Sequence, residues 1–315
     1  MKLALVFPGQ GSQYVGMGRD LWEAYPEARA VFDEADGILG FPVSELCFAG
    51  PQETLDDTIN AQPAILTMSI AALRALEARN RLEPSFVAGH SLGEYTALVT
   101  AGALDFADGL RLVRERGRLM KEAGERHPGA MAAIIGLDDA TVEEVCREAS
   151  EQVGDLSIVP ANFNSPGQVV ISGEREALEA AVELARARGA KRVIPLAVSV
   201  AGHSPLLQEA ARGLERALES VPLRPAAIPV VANVTARPVT EPEEIKAGLV
   251  RQLTQPVQWV RSVEWMIAQG VSRFVEIGPK DVLAGLIRRI NRGVQVVGVG
   301  DVAGIEAFSK ERKEG

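Results

Sequence analysis

The strongest constraint on the fold is an alternation of strand-length apolar runs with helical patterns. Five runs have the length of buried strands: 3–7, 85–89, 228–234, 273–279 and 294–300. Apolar residues recur at helical spacing between them, for example over 17–35 and over 62–77, where Pro63 suits the first turn of a helix. This alternation predicts an α/β fold with a mostly parallel sheet that helices cover on both faces.

The pattern of apolar runs changes after the sequence His127-Pro128-Gly129. Residues 128–198 read as β-α-β-β-α-β, the element order of a ferredoxin-like unit. The earlier alternation resumes afterwards. The sequence therefore predicts an inserted ferredoxin-like small domain at 128–198, within a large domain formed by 1–127 and 199–315.

Composition excludes several classes of protein. The 315 residues carry a net charge of -9, which argues against a nucleic-acid binder because such proteins normally carry a basic footprint. No apolar run approaches the roughly 20 residues that cross a bilayer. Cys47 and Cys146 are far apart and lack metal-ligand spacing. We expect a cytoplasmic monomer that holds no metal and binds neither nucleic acid nor membranes.

One pentapeptide predicts a nucleophile. Ser91 is the centre of Gly89-His90-Ser91-Leu92-Gly93, a G-x-S-x-G sequence between a predicted strand and a predicted helix. Such a turn is so tight that its flanking positions are glycine, and it exposes the serine hydroxyl. The helix that follows directs free backbone N–H groups at the site, so the Leu92 N–H is a candidate oxyanion donor.

The general base can be narrowed by elimination, because the chain has three histidines. His90 is adjacent to Ser91, and neighbouring side chains diverge on such a turn. His127 lies at the edge of the predicted insertion and reads as a surface residue. His203 lies where the chain returns to the large domain, at a crossing point where clefts form. His203 is therefore the expected base.

Six segments together resemble a known family. They occur in the order FPGQGSQ (7–13), GHSLGE (89–94), VRERGRLM (113–120), NFNSPGQVVISG (162–173), VSVAGHS (198–204) and RQLTQPVQW (251–259). Nearly the whole chain is similar to the malonyl-CoA:acyl carrier protein transacylase family of type II fatty acid synthesis. The resemblance implies an α/β-hydrolase-like large domain with a ferredoxin-like small domain.

The resemblance also implies roles for individual residues. Ser91 would be the nucleophile and His203 its general base, with the imidazole oriented by the main-chain carbonyl of Gln252. The N–H groups of Gln10 and Leu92 would form the oxyanion hole. Gln10 suits that role on its own, because PGQG after a buried strand is a tight loop whose backbone can approach a ligand closely.

Substrate class depends on an arginine. The family motif implies that Arg116 binds the free carboxylate of a malonyl group, since a guanidinium can pair with a carboxylate bidentately. Three other arginines lie nearby on the same predicted helix, so spacing alone does not select Arg116. Four further residues are candidates for contacts to the pocket or to the pantetheine arm: Gln62, His90, Asn162 and Asn164.

The implied chemistry is ping-pong transfer of malonyl from malonyl-CoA, through a malonyl-serine ester, to the phosphopantetheine thiol of acyl carrier protein. It requires no cofactor beyond that substrate and the partner's own pantetheine. The carrier protein is acidic as a family, so a chain of net charge -9 needs a local basic surface to dock it. Two clusters are candidates: Arg288, Arg289 and Arg292, and Lys191 with Arg192.

Two other functions remain open at this point. A serine esterase or thioesterase of the α/β-hydrolase type would use the same nucleophile and base with water as acceptor, and it would carry an acidic third member. An acyltransferase of the same family could instead serve polyketide or malonate metabolism.

Overall fold

The computed structural model describes residues 2–154, 156–196, 198 and 200–314. Its strands are β1 (Lys2–Phe7), β2 (Phe86–Gly89), β3 (Gly129–Ile135), β4 (Ile158–Ser165), β5 (Gln168–Glu174), β6 (Arg192–Pro195), β7 (Val230–Val231), β8 (Pro238–Val239), β9 (Val271–Ile277) and β10 (Gln295–Val299). Its α-helices are α1 (Arg19–Ala24), α2 (Pro26–Leu39), α3 (Val43–Ala49), α4 (Gln52–Asp56), α5 (Thr58–Glu77), α6 (Gly93–Thr100), α7 (Phe106–Arg126), α8 (Asp139–Gln152), α9 (Arg175–Ala187), α10 (Gln208–Glu219), α11 (Pro242–Gln252), α12 (Trp259–Ala268), α13 (Val282–Ile290) and α14 (Val302–Glu314). A short 3-10 helix covers Pro205–Leu207.

The larger sheet has the strand order β10-β9-β1-β2-β7-β8. Its first five strands are parallel, and β8 pairs antiparallel with β7 at one edge. The side chains of β1 from Ala4 to Phe7 are buried, as expected for a central strand that helices cover on both faces. The chain is therefore an α/β protein with a mixed, mostly parallel sheet, which confirms that part of the prediction.

The second sheet is antiparallel, with the order β4-β5-β3-β6. Helices α8 and α9 bury their apolar faces against one side of it. The other side, which includes Met131 and Ala161, faces the main body of the protein. The two parts join along the backbone, where the Val257 N–H donates to the Ala161 carbonyl oxygen at 2.9 Å.

Two details of the helical prediction are wrong. The helix expected from residue 62 begins at Thr58, because the Asp57 carboxylate caps the Ile59 N–H; Pro63 therefore lies inside the helix rather than in its first turn. The single helix expected over 17–35 is two helices, separated at Tyr25, because the residue before a proline is driven to extended backbone. No helix within the described ranges is both long and apolar enough to cross a membrane.

Candidate active site

Ser91 lies at a sharp turn between β2 and α6, at the carboxyl end of the parallel strands. Its φ is +51°, a left-handed conformation that is uncommon for a residue other than glycine. A Cβ on Gly89 would lie 1.9 Å from the Gly93 carbonyl carbon, and one on Gly93 would lie 2.0 Å from the Phe7 carbonyl oxygen. Both flanking glycines are therefore required by close packing of the backbone.

His203 contacts the serine hydroxyl. Its Nε2 lies 2.9 Å from Ser91 Oγ, and its Nδ1 lies 2.7 Å from the main-chain carbonyl oxygen of Gln252. A carbonyl only accepts, so Nδ1 carries the proton and Nε2 is left as an acceptor. Burial, together with the charge of Arg116, lowers the pKa of His203 to about 3. The imidazole is thus neutral near pH 7 and can accept the hydroxyl proton.

Arg116 lies on the other side of the same hydroxyl. The side chain is 1 % exposed, and one terminal nitrogen donates to Ser91 Oγ at 3.1 Å and to Gln252 Oε1 at 3.0 Å. The other terminal nitrogen donates to Gln62 Oε1 at 2.7 Å. Among the described residues, Arg116 has no direct ion pair, whereas Arg118, two positions on, pairs with surface glutamates. Arg116 is therefore a buried cation surrounded by neutral acceptors.

Two backbone amides near the hydroxyl are unused. Within the described part of the chain, neither the Gln10 N–H nor the Leu92 N–H donates a hydrogen bond to another protein group. The Ser91 N–H, by contrast, donates to Asn233 Oδ1 at 2.7 Å. The loop that carries Gln10 packs tightly on the turn, because a Cβ on Gly9 would lie 2.4 Å from the His90 carbonyl oxygen. Gln10 and Leu92 thus have the free donors that an oxyanion hole requires.

A pocket of about 860 Å³ opens onto these groups, a volume suited to a small-molecule substrate. Ser91, His203 and Arg116 line it together with Gln10 and Lys280. Its opposite wall comes from the side of the second sheet that faces the main body, with Met131 and Asn162, and from Leu196 and Val198 after β6. The pocket therefore lies between the two sheets.

The remaining predicted contact residues differ in position. Gln62 is buried behind the guanidinium of Arg116. Asn162 lines the pocket. His90 lines it as well and bonds through Nε2 to Asn164 Oδ1 at 2.8 Å, so Asn164 contacts the pocket through a neighbour. Burial lowers the pKa of His90, and its ring packs edge-on to Trp259.

Two polar residues behind the site were not predicted from the sequence. Glu94 is 4 % exposed and accepts from Gln252 Nε2 at 2.6 Å, and burial raises its pKa to about 7. Asn233 is 1 % exposed and hydrogen bonds to the turn around Ser91. Glu94 is the last residue of the GHSLGE segment, whereas nothing in the local sequence of Asn233 marks it.

A serine on a strand–turn–helix junction, a neutral histidine within hydrogen-bond reach and free amides beside them define a class of enzymes that transfer acyl groups through serine. Comparison with known proteins narrows this class. A family described as the acyl transferase domain matches residues 4–307. A malonyl CoA-acyl carrier protein transacylase of Bacillus subtilis is 47 % identical over 99 % of this chain and 98 % of its own length. The Escherichia coli protein of that name is 49 % identical over 92 % of this chain and 93 % of its own.

Solved structures agree with these matches. The malonyl-transacylase in a complex with its acyl-carrier protein from a type II polyketide synthase is 44 % identical. It covers 99 % of this chain and 100 % of its own, with a TM-score of 0.95. The chain belongs to the malonyl CoA-acyl carrier protein transacylase family of acyltransferases.

Proposed function

We propose that this enzyme transfers a malonyl group from malonyl-CoA to the phosphopantetheine thiol of acyl carrier protein and so supplies fatty acid synthesis. One observation carries the proposal: Ser91 Oγ lies within hydrogen-bond distance of both His203 Nε2 and the guanidinium of Arg116. The histidine supplies the base that any serine acyltransferase needs. The buried cation adds a partner for an acyl group whose far end carries a carboxylate.

The first half-reaction acylates the serine. Ser91 Oγ attacks the thioester carbon while its proton passes to His203 Nε2, and the oxyanion accepts hydrogen bonds from the free amides of Gln10 and Leu92. The intermediate collapses with cleavage of the carbon–sulfur bond. CoA leaves with the proton from His203, and the malonyl-serine ester remains with its carboxylate on Arg116.

The second half-reaction reverses these steps with a different thiol. His203 accepts the proton of the pantetheine thiol, the sulfur attacks the ester carbon, and Ser91 Oγ regains a proton as it leaves. Serine, imidazole, guanidinium and backbone amides supply every group that these steps use. We therefore propose that the enzyme needs no metal and no redox cofactor.

We also propose the finer description of the fold. The strand order β4-β5-β3-β6, with α8 and α9 on one side, supports a ferredoxin-like small domain at 128–198. The nucleophile at the carboxyl end of β2 in a parallel sheet supports an α/β-hydrolase-like large domain formed by 1–127 and 199–315. We also keep the cytoplasmic location and the monomeric state as proposals.

The docking face for the acidic carrier is proposed from the register of the small sheet. Arg192 pairs with Ile135, which pairs with Gln168 on the next strand, so the three residues share one face in a row across the sheet. Arg289 on α13 donates to Gln168 Oε1 at 2.6 Å. One member of each basic cluster expected from the sequence therefore lies on a common surface, which we call the Arg192–Arg289 surface. Strand β6 leads from it directly to Leu196 in the pocket wall.

Reversing the charge of this surface tests the docking proposal. The double variant Arg192→Glu/Arg289→Glu is expected to raise the KM for holo acyl carrier protein about tenfold or more, because electrostatic steering of an acidic partner is lost. The rate of acylation by malonyl-CoA should stay close to wild type. A matched control, Arg212→Glu/Arg216→Glu on α10, changes the net charge equally at another exposed position. An equal rise in KM in both double variants would show that the carrier protein does not dock on this surface.

The overall function is tested by intact mass. Brief exposure to malonyl-CoA is expected to add one malonyl group to the protein, and holo acyl carrier protein should then remove it and appear as malonyl carrier. Rapid release of free malonate that the carrier does not suppress would favour a thioesterase instead. The hydrogen bond from His203 to a main-chain carbonyl, rather than to a carboxylate, argues against that alternative.

A further inference from the structure

The nucleophile is held in a strained backbone conformation. Ser91 has φ +51°, and a left-handed conformation at a residue with a Cβ persists only where its surroundings hold it. The angle aims Oγ at His203 Nε2, 2.9 Å away. Whatever holds the peptide groups that lead into Ser91 therefore also holds the nucleophile against its base.

The side chain of Asn233 contacts the two peptide groups that lead into Ser91, those between Gly89 and His90 and between His90 and Ser91. Its Oδ1 accepts from the Ser91 N–H at 2.7 Å, and its Nδ2 donates to the Gly89 carbonyl oxygen at 2.6 Å. Asn233 is 1 % exposed and lies just past β7, the strand that pairs with β2. It does not line the pocket, so it acts on the site through the groups that it hydrogen bonds: the turn at Ser91 and, more weakly, Gln252, whose Nε2 lies 3.4 Å from Asn233 Oδ1.

The chemistry of this position favours asparagine. The turn presents the N–H of Ser91 and the carbonyl oxygen of Gly89, with His90 between them. The amide of asparagine can bond to both, because it carries an acceptor and a donor on neighbouring atoms and no charge. Aspartate would present an acceptor to the Gly89 oxygen, and leucine would leave both backbone groups unsatisfied in a buried site. The Asn233 backbone N–H also donates to Glu94 Oε2 at 3.4 Å, which ties Asn233 to α6.

We propose that Asn233 is a positioning residue that holds the turn at Ser91 in its strained conformation through hydrogen bonds to the Ser91 N–H and the Gly89 carbonyl. The inference rests on the proposed function in that Ser91 is the nucleophile. It has a second consequence. Because the Ser91 N–H is occupied, this amide is removed from the oxyanion site, and the free N–H of Leu92, the residue just before α6, is the donor left on this turn.

The test uses Asn233→Leu, which keeps side-chain volume and removes both hydrogen bonds, with Asn233→Ala as a second variant in case leucine prevents folding. We expect kcat for malonyl transfer to fall about 10²-fold, since small displacements of a reacting group have effects of that size. The KM for malonyl-CoA should stay close to wild type, because the pocket walls do not change. Inactivation of Ser91 by phenylmethylsulfonyl fluoride should slow by a similar factor.

The control is Asn80→Leu, which removes two hydrogen bonds of a partly buried asparagine far from the site. A loss of kcat no larger than in this control, or a loss that follows only the folded fraction, would overturn the inference. A rise in KM at unchanged kcat would overturn it too. The sulfonyl fluoride readout separates this inference from the proposed function: wild-type protein that reacts with the reagent but takes up no malonyl contradicts the function, and the Asn233 variants are then judged on the reagent alone.

Discussion

Replacing Ser91 by alanine is expected to lower the rate of malonyl transfer by about 10⁶-fold and to abolish the malonyl adduct on the protein. Effects of this size follow the loss of a serine nucleophile because the covalent route disappears, while binding and the oxyanion donors remain. The free imidazole of His203 and the cation of Arg116 stay in place in the variant. Malonyl-CoA should therefore still bind, and a CoA-binding measurement is expected to give an affinity near that of the wild type.

The matched control is Ser69→Ala. Ser69 is a buried serine on α5 whose hydroxyl has no hydrogen-bond partner in the described part of the chain, so its removal should leave activity unchanged. Intact mass and peptide mapping after exposure to malonyl-CoA give the readout. A malonyl adduct that survives in Ser91→Ala would assign the nucleophile to another residue.

The sequence predicts the class of fold because the decisive signals are local. Strand-length apolar runs ended by glycine or proline mark β1 and β2 without reference to distant residues. The turn at Ser91 is equally local, since Gly89 and Gly93 are needed within four residues of each other. Patterns of this kind predict the structure correctly because backbone steric constraints act over only a few residues.

The start of α5 was not predicted, because it depends on one cap. The apolar pattern predicts a helix that begins at residue 62. The hydrogen bond from the Ile59 N–H to the Asp57 carboxylate places the first turn earlier. Pro63 then lies inside the helix, where it removes one backbone donor and the surrounding burial compensates. A capping side chain competes with the apolar pattern, and the cap determines the boundary.

The position of Asn233 behind the site could not be predicted from local sequence. The run 228–234 reads as one strand, but pairing is limited to Val230–Val231, because Ala232 begins a turn in which its N–H donates to the Arg237 carbonyl oxygen. That turn brings Asn233 against residues more than 140 positions earlier in the chain. The contact depends on sheet order, which periodicity does not contain.

Local sequence also could not identify Arg116 as the functional arginine among its neighbours, because its burial depends on tertiary packing. Four arginines lie on or near one stretch of α7, and spacing alone leaves them equivalent. Tertiary packing separates them, because Arg116 is buried against Gln62 and Gln252 from other helices, while Arg111 and Arg118 form ion pairs at the surface. The resemblance to a known family supplied what spacing could not.

Replacing Arg116 by alanine is expected to lower kcat/KM for malonyl-CoA by about 10²–10³-fold. The distal carboxylate of the malonyl group would enter a buried site without a cation, and leaving a buried charge unpaired costs about 3–5 kcal/mol. Acetyl-CoA carries no such carboxylate, so its transfer should fall much less. The measured quantity is the ratio of kcat/KM for the two substrates, which is expected to shift toward acetyl.

Two further variants make this prediction specific. Arg118→Ala removes an arginine from the same helix, but one paired with Glu115 and Glu122 at the surface, so the substrate ratio should not change. Arg116→Lys keeps a point charge but loses the planar fork that binds Gln62, Gln252 and a carboxylate together, so it should recover part of the malonyl preference. An equal loss with malonyl-CoA and acetyl-CoA in Arg116→Ala would contradict the carboxylate role. It would instead show that Arg116 acts on both reactions through its hydrogen bond to Ser91 Oγ.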